Sequence, residues 1–377
     1  MKIVMFAAVA VGILLGFWPG GLAAPKPAWW RWTAIVSMSL LVFFAFWLPT
    51  GGSFGGAAMV DVARGEGAFS PVLVEVVEAN GSLVSGKDIL DSVRAINISQ
   101  LSPGDQSQLK VGERSILSVK RNSSTNQYEA RSIVRMNPIV ALPLLPALEE
   151  RARNLYFHVP SAWFAELAWI VAVVFALRYL MKKERSIEDD VKASSAAAVG
   201  ALFCVLATIT GSVWAKFNWG SFWNWDPRQV SIFIVLLIYG SWFALRSAIN
   251  SVEQRARVSS IYLILLVLPV TFFIFVYPRI QPGLHPGAEG SGTIGPVIDP
   301  AEIWLNPTKE ALFSLAFFAF SLIFFWMVNL SIRIRLLDTR KPDEGELKSV
   351  TSRQEPVVEA IGSGGTRQGI GTGENHE

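Results

Sequence analysis

A single cysteine and three histidines are all that 377 residues provide of the two side chains most often found on metals, and only 17% of the chain is charged. Cys204 lies inside an apolar stretch, which rules out a disulfide framework and leaves the thiol as a small core residue. Away from their ends, the long apolar stretches carry no ionisable side chain apart from Glu166, so a proton- or ion-coupled pathway has little to work with. The basic residues are spread by loop and form no nucleic-acid patch.

What is plentiful is apolar surface: 51% of residues are hydrophobic and mean hydropathy is +0.40, which places the chain among membrane proteins. Apolar runs of roughly 17–22 residues, enough to cross a hydrocarbon core, lie near 3–18, 32–49, 161–181, 196–215, 229–248, 258–277 and 310–330. Lys182, Lys183 and Arg185 follow the third run, Arg246, Arg255 and Arg257 separate the fifth from the sixth, and Arg333, Arg335, Arg340 and Lys341 follow the last. The positive-inside rule makes these three segments cytoplasmic. Residues 50–158, 219–228 and 278–308 then face the other side, the periplasm if the host is a bacterium.

"GGLAAPKP" after the first run resembles a secretory cleavage region. Cleavage would make the second run enter from outside, against Lys26 and Arg31, so an uncleaved helix with its N-terminus outside is expected. Residues 51–154 are too many for a structureless loop. "PVLVEVVEANGSLV" and "RSILSVKRNSSTNQYEARSIV" each offer two apolar stretches around a turn, and "DILDSVRAI" between them reads as a short helix. The expected fold is an all-α polytopic membrane protein, a six-helix core plus an extra N-terminal helix, carrying a small β-rich extracytoplasmic insert. Its parts are an apolar helix or signal-like segment at 1–31, a membrane helix at 32–50, the insert at 51–154, the membrane core at 155–330 and a disordered cytoplasmic tail at 331–377.

His376 lies in that polar tail, which leaves His158 in "YFHVPSAW" and His285 in "QPGLHPGAEG". Both fall on the outer side. Pro160 is placed to open the third helix, holding His158 at its mouth, and the prolines and glycines around His285 present it from a loop. Two outward imidazoles suit bis-His ligation of haem iron, although a lone histidine near a membrane surface is ordinarily just an interfacial polar residue. Between Trp214 and Trp225 the chain also sets Phe217, Trp219, Phe222 and Trp223, more aromatics than an interfacial belt needs at one loop. Indole faces bury a flat hydrophobic ring at low entropy cost. Gly220 and Ser221 allow close backbone approach, and Asp226-Pro227 reads as the cap and first residue of the next helix. Arg228 either pairs with Asp226 or meets a propionate. No Cys-x-x-Cys-His occurs, which excludes a c-type cytochrome.

"WGSFWNWD" resembles the tryptophan-rich WWD signature of the haem-handling proteins of cytochrome c biogenesis, and "FHVPSAW" resembles the HVP-x-AW stretch of the CcmC family. The resemblance implies His158 and His285 as axial iron ligands and Trp219, Gly220, Trp223, Trp225 and Asp226 as the haem platform. It implies haem b (iron protoporphyrin IX), bound transiently at the outer face of the bacterial inner membrane and delivered to a periplasmic haem chaperone, beside ABC-transporter subunits of the maturation system. On this reading the chain is a transfer protein and not an enzyme, with no catalytic residue. The extra N-terminal run and the insert depart from the family's pattern. One alternative is a CcsA- or CcmF-like synthase subunit that attaches haem to apocytochrome c. Those relatives carry histidines within membrane helices, and none of the apolar runs here contains one. The other is a non-haem transporter or structural subunit with the aromatics as a membrane belt.

Overall fold

The computed structural model describes residues 2–64, 67–122, 125, 127–144, 148–285 and 307–338. Two compact units are distinguished, 1–333 and 334–377. In chain order the first contains α1 (Lys2–Phe17), α2 (Ala28–Trp47), β1 (Thr50–Gly51), α3 (Phe54–Arg64), β2 (Ser70–Asn80), β3 (Leu83–Asp88), β4 (Val93–Asn97), α4 (Pro103–Gln108), β5 (Arg114–Asn122), β6 (Gln127–Met136), β7 (Leu142–Pro143) and a 3-10 turn (Glu149–Asn154). It continues with α5 (Leu155–Met181), α6 (Ile187–Trp219), α7 (Pro227–Ala248), α8 (Val252–Leu265), α9 (Val267–Thr271), a π turn (Phe272–Val276), α10 (Tyr277–Ile280) and, as far as residue 333, α11 (Pro307–Asp338). Of the tail expected to be disordered over 331–377, residues 331–338 are instead helical, as the last turns of α11, because the apolar pattern runs on through Ile332, Ile334, Leu336 and Leu337; the rest, from 339 onward, lies outside the described residues.

Among the described residues, five helices are long and apolar enough to cross a membrane, or six if the bent stretch from α8 to α10 counts as one span. The protein is a multi-pass membrane protein. The bend has local causes: Pro269 cannot donate to the helix ladder, and the following π turn widens it. The first apolar run is helical but only 16 residues long, short of a full span. It is nonetheless knitted to α11. Gly12 lies where a side chain would overlap Ser321, Gly16 where one would overlap Phe325, and buried Lys26 donates to Gly16 O at 2.7 Å.

α5 and α6 form an antiparallel hairpin about the basic turn after Met181. Their close approach comes from small residues: a side chain on Gly200 would sit 2.6 Å from Ala168 Cβ and 2.4 Å from the Tyr239 hydroxyl of α7. Ring contacts between Tyr156 and Phe313, and between Phe164 and Phe324, run α11 parallel to α5.

The insert is a closed barrel in the order β2-β3-β4-β6-β5, with β5 returning to β2 and one parallel pair, β4 on β6. That Greek-key order is the topology of the OB-fold. Val72, Val74, Val76, Val84, Ile96, Leu117 and Val119 alternate into its core, where Phe54 of α3 joins them. Residues 88–96, expected as a short helix, are instead a turn leading into β4. Asp88 accepts from the amides of Leu90 and Ser92 and from Phe54, and Asp91 takes φ 63°, so the side chain outcompetes a helical start. The barrel returns to the bundle through Arg153, which donates to Ala45 O at 2.6 Å and to the Thr50 hydroxyl at 3.0 Å.

Candidate functional site

His158 does not precede α5. The 3-10 turn feeds straight into the helix, so His158 occupies its first turn and Pro160 lies inside it, not at its first position. Proline removes one ladder donor there, and the Ser161 hydroxyl takes up the carbonyl of Phe157 at 2.8 Å. The α5–α6 hairpin sets the His158 ring against Gly211, where a side chain would come 2.8 Å from its Cε1. One residue earlier, Thr210 Oγ1 is 3.1 Å from His158 Nδ1. The Thr210 hydroxyl already donates to Leu206 O at 2.7 Å, so towards the imidazole it accepts, and Nδ1 carries the proton.

The tryptophan stretch leaves α6 at Gly220, whose φ of 82° makes it the left-handed cap. No protein atom lies within 4 Å of where its side chain would be, so conformation and not crowding requires glycine here. Gln229 of α7 then gathers the loop, accepting from Asn224 N at 2.7 Å and donating to Phe222 O at 3.3 Å. Arg151 of the 3-10 turn donates to Phe217 O at 2.6 Å, tying the insert's exit to the last turn of α6, just before that loop. Trp225 takes φ 54°, an uncommon place for an aromatic residue, and stands 71% exposed with Trp223 packed edge-on behind it.

Asp226 joins the parts. It caps α7 by accepting from Arg228 N at 2.9 Å, accepts from Leu284 N at 2.7 Å and meets His285 Nδ1 at 2.7 Å. Burial pushes this carboxyl up, but the hydrogen bond and charge of His285 and the two amides outweigh it and hold the group at about 2. It is therefore ionised, can only accept, and fixes the proton of His285 on Nδ1. The His285 ring stands edge-on to Trp219 at 4.7 Å between centroids. His158 lies within electrostatic range of both His285 and Arg228.

The structure thus brings His158, His285, Trp219 and Asp226 to the insert end of the bundle, with Trp223 and Trp225 beside them on the same loop. Nδ1 meets a side-chain oxygen in both rings, so the fit to haem iron would be through Nε2. Among the described residues no three His, Cys, Asp or Glu side chains gather as a cage for a bare ion. Sequence reasoning missed Thr210, Gly211, Gln229 and Arg151. A Thr-Gly pair within an apolar run was the available signal for the first two, since a hairpin folded after Met181 pairs 158 with 210.

Residues 139–345, more than half of the chain, match the family model described as CcmC, heme exporter protein C. The chain belongs to the CcmC family. Similar relatives carry matching names. "Heme exporter protein C" of Bradyrhizobium diazoefficiens is 36% identical over 107 residues, 28% of this chain and 40% of that protein. The "Putative cytochrome c biosynthesis ccmC-like mitochondrial protein" of Marchantia polymorpha is 32% identical over 126 residues, 33% of this chain and 52% of that protein. "Heme exporter protein C" of Escherichia coli K12 is 30% identical over 202 residues, 52% of this chain and 75% of that protein. The matched part of the chain thus spans two fifths of the first of these curated relatives, about half of the second and three quarters of the last. The family match begins at residue 139, inside the last part of the insert, and takes in α5 to α11.

Proposed function

We propose that this CcmC-family chain binds haem b transiently at the insert end of its bundle and hands it to a periplasmic haem chaperone for cytochrome c maturation, beside ABC-transporter subunits. His158 and His285 are the axial ligands, Trp219, Trp223 and Trp225 the apolar platform, and Gly220 and Asp226 shape the loop that carries it. The reading places the chain in a bacterial inner membrane, with tryptophan loop and insert in the periplasm and the C-terminus in the cytoplasm. The basic residues after α5 and between α7 and α8 support that orientation. Transfer, not covalent chemistry, is the work proposed, so no residue is assigned as catalytic.

The observation that carries the reading is the Asp226 carboxylate. By holding Leu284 N and His285 Nδ1 at 2.7 Å while capping α7, it fixes a loop histidine against the tryptophan stretch with Nε2 left to ligate. Neither a membrane belt nor a helix cap alone needs that second and third bond. Release then requires one iron–imidazole bond to be exchanged for a group on the recipient. Haem titration of the detergent-purified protein tests this: about one haem per chain is expected, and none held by the His158→Ala/His285→Ala double variant. Normal occupancy in the double variant overturns the ligand assignment.

A further inference from the structure

The two imidazoles are backed differently. His285 Nδ1 meets a buried carboxyl group, that of Asp226, at 2.7 Å, whereas His158 Nδ1 meets the hydroxyl of Thr210 at 3.1 Å. A carboxylate behind an imidazole raises its basicity and strengthens its bond to a metal; a neutral hydroxyl orients the ring and raises its basicity less. Their anchoring differs as well. Asp226 ties His285 to a helix cap and to Leu284 N in one network, while His158 lies against the backbone of Gly211 with Thr210 Oγ1 at its Nδ1.

We infer that Thr210 and Asp226 are positioning residues that make the two ligands unequal: His285 keeps the iron through hand-over, and His158 is the ligand that lets go. The inference rests on the haem reading above and deepens it by naming the order of release. Thr210 sets the Nδ1-protonated tautomer of His158, which turns Nε2 to the iron. Its neutral backing leaves that bond the weaker of the two. Asp226→Asn keeps an acceptor and a good helix cap while removing the charge, so it is the substitution that equalises the ligands.

Two measurements on the full-length detergent-purified protein test this. In the first, haem-loaded His158→Ala and His285→Ala proteins are mixed with excess apomyoglobin as scavenger. His158→Ala is expected to lose haem about tenfold more slowly than His285→Ala, the low end of what a metal site's backing contributes. With Asp226→Asn added to each, the two rates should converge. Equal rates before that change, the reverse order, or a gap that survives Asp226→Asn overturns the inference. In the second, nitrogen-15 histidine spectra of the haem-free protein, which has only three histidines, should show His158 protonated at Nδ1. That signal should be lost in Thr210→Val and restored in Thr210→Ser. His158 protonated at Nε2 in the unsubstituted chain overturns the role of Thr210. A wild-type protein that takes up no haem defeats the functional reading itself, and is distinguished from failure of the inference alone by the titration described above.

Discussion

At the end of the bundle remote from the insert, Asp190 of α6 meets Arg246 of α7 through two bonds of 2.7 and 2.9 Å, and the guanidinium also lies over Trp242. At the insert end Asp226 meets His285 and two backbone amides. Both carboxylates are buried, and both stand at a helix N-terminus where negative charge is favoured. They differ in what they leave over. The first pair consumes its charges and closes a joint between helices. The second spends one imidazole nitrogen and keeps the other, beside Trp225 in a left-handed conformation and exposed Phe217 and Phe222. One end is closed on itself; the other keeps a ring nitrogen for the ligand proposed above.

Breaking the closed end should cost most. Arg246→Met strands Asp190 in a buried position, and a loss of about 3–5 kcal/mol is expected. It would be read as a lowered thermal midpoint in detergent, with the haem absorption of the surviving folded protein unchanged. A spectral change equal to that of a histidine variant would erase the distinction between the ends.

Acid sharpens the contrast next. The Asp226 carboxyl lies at about 2 in the fold against 3.8 for the unperturbed group. A depressed carboxyl contributes stability that is complete above its unfolded value and is lost as pH falls through its folded value. The shift amounts to roughly 2 kcal/mol. Between about pH 4 and pH 2 the link from His285 to the tryptophan loop should therefore weaken in the wild type. In Asp226→Asn that step should be absent, as followed by tryptophan fluorescence; an identical acid profile in both would detach Asp226 from His285.

Trp225→Gly separates strain from use. Glycine accepts φ 54° without the penalty tryptophan carries, so stability should hold or rise by about 1 kcal/mol. Haem retention should fall several-fold as the exposed indole is lost. Unchanged retention would return Trp225 to the role of a membrane anchor.

Much of the insert end was legible in the sequence because its residue types are rare. Two usable histidines and one dense tryptophan run drew attention to His158, His285, Trp219, Trp223, Trp225 and Asp226, and the structure sets these residues at one end of the bundle; their roles came from the family resemblance. Their partners could not be read, because they are remote in sequence: Asp226 and His285 are 59 positions apart, Thr210 and His158 52. Asp226 was read as a cap, which it is, and its bonds to Leu284 and His285 need the chain to return from α10. Pro160 misplaced the start of α5 because the preceding 3-10 turn has no strong periodicity to announce it. In the insert, both hairpins followed from their turns, whereas "DILDSVRAI" went wrong because Asp88 bonds to amides on two sides. Closure of the strands into a barrel depends on the parallel pair of β4 and β6, whose register no local pattern encodes.

The most direct test is a visible absorption spectrum, oxidised and reduced, of the purified protein beside His158→Ala, His285→Ala and Arg246→Met. Low-spin haem bands perturbed by each histidine substitution and untouched by Arg246→Met are the result expected if the insert end alone handles haem. Bands that survive both histidine changes, or a colourless protein that takes up no added haem, would contradict it.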